Sequence, residues 1–197
     1  SARSPACPPR CRTRSEPAAG HVAAFDPAAV RTHPVDYRLV ANGFVTLFWD
    51  PQVLQRTLRW LAEHGYQLVT LPSGGWRLPA DLHRDLARAL DFPDYYGRNL
   101  DALNDCLSDV VDGDYGWDRS TTGLVLVFLG YDAFARAQPQ VAQTVLDIVA
   151  DRARGAVLIG HRLICLVQSD DPTVRFAPVG AAGVSWNDAE WRDADRG

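Results

Sequence analysis

The chain predicts an α/β fold: a small parallel sheet of three to four strands packed with helices, plus an N-terminal tail and a C-terminal extension. Three observations predict it. Short apolar, β-branched runs alternate with segments of helical period, the order of strand–helix–strand units joined by right-handed crossovers. The run Leu124-Val125-Leu126-Val127-Phe128-Leu129 is apolar at every position, as a strand buried on both faces must be. The chain has 197 residues, 47% hydrophobic and 22% charged, which is ordinary for a globular protein with a core of its own.

Each element has its own signal. Residues 1–35 are rich in Pro, Ala and Arg without a period and read as a disordered tail. Phe44-Val45-Thr46-Leu47-Phe48-Trp49 reads as a strand. Asp50-Pro51 then opens a helix, Asp as N-cap and Pro in the first turn. Val53, Leu54, Leu58 and Leu61 keep helical spacing, and Gly65 ends the helix. Residues 36–65 are thus an added strand–helix segment before a core domain, 66–168. In that core, 66–71 is a strand, 72–75 a loop, and 79–90 a helix with Leu82, Leu86, Ala89 and Leu90 inward. A loop at 91–98 leads to a helix at about 99–112, and 113–122 is another loop. After the strand at 124–129 comes a helical region broken by Pro139 and resumed at Val141, Val145, Leu146, Ile148 and Val149. Residues 157–167 read as one long strand or a broken pair. The extension, 169–197, holds a possible hairpin of 174–176 with 184–186 around the glycines at 180 and 183.

Charge is segregated. The formal net charge is −4, with 20 basic residues and no lysine among them. Residues 1–35 carry five Arg against Glu16 and Asp26, a net of +3; residues 91–118 carry eight Asp against Arg98, a net of −7. A patch so acidic repels nucleic acid, which is bound by neutralising phosphates. It attracts basic proteins and speeds their encounter. No apolar run reaches the ~18–20 residues of a membrane span, and residues 1–20 lack the apolar block of a signal peptide, so a cytoplasmic protein is expected.

Chemistry of turnover is not written in the chain. It has no Gly-rich loop ending in Lys and no HExxH. Cys7 and Cys11 lie in the tail without a second ligand pair, so no metal site and no cofactor are expected. Cys106 and Cys165 read as small buried hydrophobes, not as a disulfide framework. His83 reads as a helix-surface or capping histidine. Asp101 and Asp105, one helical turn apart with no electrophile nearby, make poor catalytic machinery, and no enzyme is expected.

Binding is another matter. Asp101, Asp105 and Asp109 recur every four residues and share one helix face, where like charges repel by about 0.2–0.5 kcal/mol per pair. Leu100, Leu103, Leu107, Val110 and Val111 form the opposite, core-facing stripe. The fold gains nothing from the acidic stripe, which points to a partner. The matching run is Pro93-Asp94-Tyr95-Tyr96-Gly97, Asn99-Leu100-Asp101-Ala102-Leu103 and Asp105-Cys106-Leu107, preceded by Leu82-His83. With these residues, roughly 65–168 resembles the barstar family, intracellular protein inhibitors of secreted microbial ribonucleases.

The resemblance implies a barstar-like core of three strands and a partner that is a basic secreted ribonuclease, with no nucleic acid or membrane bound and a monomer in the free state. It implies that Asp105 is the central anchor in the enzyme's phosphate site, with Asp101 beside it, and that Tyr95 is a rigid aromatic contact. Gly97, Asn99 and Leu100 fall in the binding loop and helix start, Asp109 on the same face, and Asp151 where the family carries another contacting carboxylate. Asn104 stands where the family often has Trp, and Arg98 where it often has Glu. Other roles stay open: Asn99 as a helix cap, Gly97 as a turn residue, Asp101 as a first-turn charge favoured by the helix dipole. An interaction module whose partner is a different toxin or a regulatory protein is the alternative reading.

Overall fold

The computed structural model describes residues 34–41 and 43–190. Most of the expected tail, with Cys7 and Cys11, lies outside them. The described chain opens with a short helix, α1 (Val35–Val40), and runs through β1 (Val45–Phe48), α2 (Pro51–Glu63), β2 (Tyr66–Leu71), α3 (Pro79–Ala89) and α4 (Leu100–Asp112). It continues with β3 (Gly123–Phe128), α5 (Tyr131–Ala137), α6 (Pro139–Leu158), β4 (Leu163–Gln168) and β5 (Ser185–Trp186). No helix of the described residues is long and apolar enough to cross a membrane.

The strands form one sheet in the order β2-β3-β4-β1-β5, and every neighbouring pair is parallel. The parallel α/β class is as expected. The strand number is not: five strands replace the expected three to four. The fifth, β5, has two residues, too few to show any period. It joins β1 through Thr46↔Ser185 and Leu47↔Trp186, and the Asn187 N–H donates to the Leu47 carbonyl at 2.8 Å. Residues 184–186 therefore extend the sheet instead of pairing with 174–176. Among the described residues, Val179 and Ala182 alone bridge in antiparallel fashion.

Alternation along the strands builds two apolar layers. Leu124, Leu126, Phe128, Leu163, Cys165 and Val167 face α3, α4, α5 and α6. Val125, Val127, Ile164 and Leu166 face α1 and α2. Asp50 caps α2 as expected, its carboxylate accepting from the Gln52 N–H at 2.7 Å. Asp81 closes the start of α3 from within its first turn, accepting from the Leu78 and Arg77 N–H groups. Those bonds, with Arg84, pull its carboxyl down to about 2. The expected strand at 157–167 is corrected: α6 continues to Leu158 and β4 starts at Leu163. Val157 is a good strand former, but Ala153 and Ala156, fully buried, carry the helix past it. Packing overrides local propensity there.

Candidate functional site

The acidic segment is a turn followed by a helix pinned from behind. The chain leaves α3 through Asp91 in the left-handed region, φ 50°, with the Phe92 N–H returning to the Ala87 carbonyl at 2.9 Å. A tight turn follows, Tyr96 N–H to Pro93 carbonyl at 2.9 Å. Tyr96 points inward, 7% exposed, packed edge-to-face on Phe92 at 4.9 Å. Its hydroxyl lies 2.6 Å from His83 Nδ1. Tyr95, the residue before Tyr96 in the turn, projects outward at 80% exposure.

His83 corrects the sequence reading. It is buried, 3% exposed, and anchors the turn from beneath through Tyr96. Burial, and secondly the charge of Arg98, lower its pKa below the usual 6.5. The Tyr96 hydroxyl is pushed up by desolvation in the same pocket. Gly97 keeps a negative φ; its role is close approach, because a Cβ would come within 3.3 Å of Ala102 Cβ and Asn99 Nδ2. The residue after it, Arg98, is left-handed instead, φ 52°, a conformation that most residues with a Cβ avoid.

Asn99 then caps α4, its side-chain oxygen accepting from the Ala102 N–H at 2.8 Å. Leu103, Cys106, Leu107, Val110 and Val111 bury the inner face, and Leu100 packs against its edge. Asp101 and Asp105 are exposed, Asn104 half-buried. Asp109 leaves the expected stripe: it is partly covered and accepts from the Tyr115 hydroxyl at 3.0 Å. The reason is angular. At ~100° per residue, positions 101, 105, 108 and 112 line up along the axis, and 109 turns away by nearly a quarter circle. The outward line is therefore Asp101, Asp105, Ser108 and Asp112. Sequence reasoning by steps of four missed the last two; the mixed spacing of four and three would have found them.

Gly113 ends α4 in the left-handed region, φ 88°, where a Cβ would strike Arg119 at 2.7 Å. Asp151, on α6, comes to the same end of the molecule: it lines one depression with Ser108 and Asp112. It is paired with Arg152, and more loosely with Arg154 at 3.8 Å. Other ion pairs between described residues join Arg38 to Asp188, Arg84 to Asp81 and Asp85, and Arg136 to Asp132 and Asp171. Asp101 and Asp105 belong to none of them. The site is thus two unpaired carboxylates on a rigid helix, flanked by an exposed tyrosine. Among the described residues, no cluster of His, Cys, Asp and Glu is placed to hold a metal ion.

A family model described as Barstar (barnase inhibitor) matches residues 57–168, more than half of the chain. The chain belongs to the barstar family. A second comparison finds 74% identity over 31 residues with a Bacillus subtilis (strain 168) protein named "Putative ribonuclease inhibitor YrdF". That match spans 16% of this chain and 34% of the relative's length. The barstar-type helix and its preceding turn therefore sit in a sheet extended on one side by β1 and β5, outside the matched residues.

Proposed function

We propose that this protein is a ribonuclease inhibitor of immunity type, acting in the cytoplasm by binding and not by turnover. Its loop–helix, residues 95–109, enters the cationic active site of a basic secreted ribonuclease. Asp105 takes the place of a substrate phosphate and accepts charge-assisted hydrogen bonds from the enzyme's Arg, Lys or His. Asp101 adds a second carboxylate one turn earlier, and Tyr95 supplies a rigid aromatic contact of the kind that dominates interfaces. Gly97, Asn99, Leu100 and Asn104 shape the rim, and Asp109 and Asp151 add negative field from positions held by internal partners. The observation that carries the reading is the pair of exposed, unpaired carboxylates on a helix whose other face is fully packed. The helix dipole favours Asp101 in the first turn but gives Asp105 nothing, and an enzyme that binds polyanions would use both.

The test is inhibition of RNA cleavage by a panel of small guanyl-specific microbial ribonucleases, with Asp105→Ala in parallel. Wild type is expected to inhibit stoichiometrically. The variant should bind at least about thirtyfold more weakly, the usual cost of removing one member of a buried interfacial charge pair, a range drawn partly from the barnase–barstar pair itself. Equal inhibition by wild type and variant would refute the site. Absence of inhibition across the panel would favour a different toxin or a regulatory protein as the partner. Arg98, which places a cation at the head of the acidic line, would then be the first residue to reverse.

A further inference from the structure

Arg98 is placed at a cost to the fold. Its backbone is left-handed, φ 52°, where a Cβ crowds the following carbonyl. Both neighbours are fixed, so the strain cannot relax into them: Gly97 approaches Ala102 and the Asn99 side chain closely, and Asn99 caps α4. Arg98 also stands one residue ahead of that cap, at the positive end of the helix dipole, where a cation is disfavoured. Its charge lies near enough to the His83 ring to oppose protonation there. No bond within the protein offsets these terms. Arg98 is exposed, and among the described residues no carboxylate closes an ion pair with it, although residues 91–118 carry eight Asp. Those aspartates attract it only across water, where the attraction is screened. A residue held in a strained conformation without local gain points to function.

Position says what that function is. Arg98 stands midway in sequence between Tyr95 and Asp101, both exposed, so a partner that touches both comes over it. Its charge is opposite to that of Asp101 and Asp105. An enzyme surface cationic throughout would suit the two carboxylates and repel the guanidinium, and a charge covered without an opposite partner weakens binding steeply. The two demands are met together only by an enzyme that sets an anion against Arg98, and on a protein that anion is a carboxylate. Such a residue discriminates by rejection, since an enzyme with a neutral or basic group at that point leaves the guanidinium unpaired.

We propose that Arg98 is a specificity-determining residue: it pairs with a carboxylate that the target ribonuclease carries beside its phosphate site, and it rejects enzymes that lack one. The inference rests on the reading of the 95–109 loop–helix as the partner surface. The test uses the ribonuclease of the panel that the wild-type chain binds, comparing Arg98→Gly, Arg98→Lys and Asp105→Ala by Kd and by the two rate constants. Glycine removes the charge and suits the left-handed backbone, so the urea midpoint at pH 7.5 should hold or rise. Kd should nevertheless rise roughly tenfold, between the effect of a rim charge and that of a buried one. The rise should come from dissociation, because a more negative face meets a basic enzyme no more slowly. Arg98→Lys keeps the charge without the planar fork and should recover part of the affinity. Replacing the Asp and Glu residues around the enzyme's active site one at a time by Asn and Gln should reveal one whose effect on Kd disappears in Arg98→Gly, because paired residues are coupled. Wild-type or tighter binding by Arg98→Gly, alongside loss in Asp105→Ala, would overturn this inference and leave the acidic-face reading standing, and so would the absence of any coupled carboxylate. A lower urea midpoint in Arg98→Gly would give Arg98 a structural role and overturn the inference as well. A wild-type chain that binds none of the enzymes removes the acidic-face reading, and this inference with it.

Discussion

At the scale of the residue, the informative side chain is one the sequence reading placed wrongly. His83 looks like a surface histidine by its position between Arg84 and Leu82, yet it is buried under the 92–98 turn with its ring on the Tyr96 hydroxyl. No periodicity shows this, because His83 is covered by a loop that arrives thirteen residues later. The pH consequence follows from sign. Burial, and secondly Arg98, hold the folded-state pKa below the unfolded value of 6.5. As pH falls, the unfolded chain therefore takes up the proton first. Stability from the neutral ring is fully present above about pH 6.5 and declines as pH drops toward the folded pKa. Urea midpoints at pH 7.5 and 5 should show that decline in wild type and a smaller one in His83→Gln. His83→Ala should also lose about 1–3 kcal/mol at pH 7.5, the cost of a buried hydroxyl left unpartnered. A wild-type pH dependence unchanged in His83→Gln would show that the histidine stays hydrated.

At the scale of the element, α4 combines a structural inner face with an outward line of carboxylates, and its two ends are fastened by different chemistry. Asn99 caps the start by accepting from the Ala102 N–H, and Gly113 closes the end in the left-handed region. Asn99→Ala should cost about 1 kcal/mol in urea unfolding, whereas Asn99→Asp keeps an acceptor at that position and should cost little. If both substitutions weaken binding to the proposed ribonuclease partner equally while only one lowers stability, Asn99 touches that partner as well as the helix; an effect on binding confined to Asn99→Ala would make it a cap alone. The helix, its apolar stripe and the exposure of Asp101 and Asp105 were legible in the sequence because 3.6-residue periodicity and unequal charge are local signals. The departure of Asp109 from the outward line was open to the same reading at ~100° per residue, but its bond to Tyr115 was not, because that bond depends on how the chain folds back after Gly113.

At the scale of the whole molecule, the question is what the segments outside the family match contribute. The match ends at Gln168, the last residue of β4, and begins at Thr57, inside α2. Every residue of β4 is buried, and its outer edge is covered by β1 through Val45↔Cys165 to Phe48↔Gln168. Without β1, that edge would present unpaired backbone on an apolar strand, a template for aggregation. Helix α2 is equally committed, since Val53, Leu54, Leu58 and Leu61 cover Val125, Val127, Ile164 and Leu166. The segment after β4 is tied down more lightly. Val179 is buried, the Gly180 N–H donates to Asp147 at 2.7 Å, and Gln143 exchanges bonds of 3.0 and 3.1 Å with Ala177. The strand and helix of residues 44–65 were legible because each carries its own pattern. β5 was not, because a two-residue strand is defined only by the β1 edge it joins. The two additions should therefore differ in kind. Removing residues 174–197 should lower the urea midpoint and leave one cooperative transition, whereas removing residues 34–65 should abolish cooperative unfolding and produce light scattering at neutral pH. A fragment of residues 66–168 that unfolded cooperatively at the midpoint of the full chain would show that β1 and α2 are appendages, and that the three strands of the matched core close their own edge.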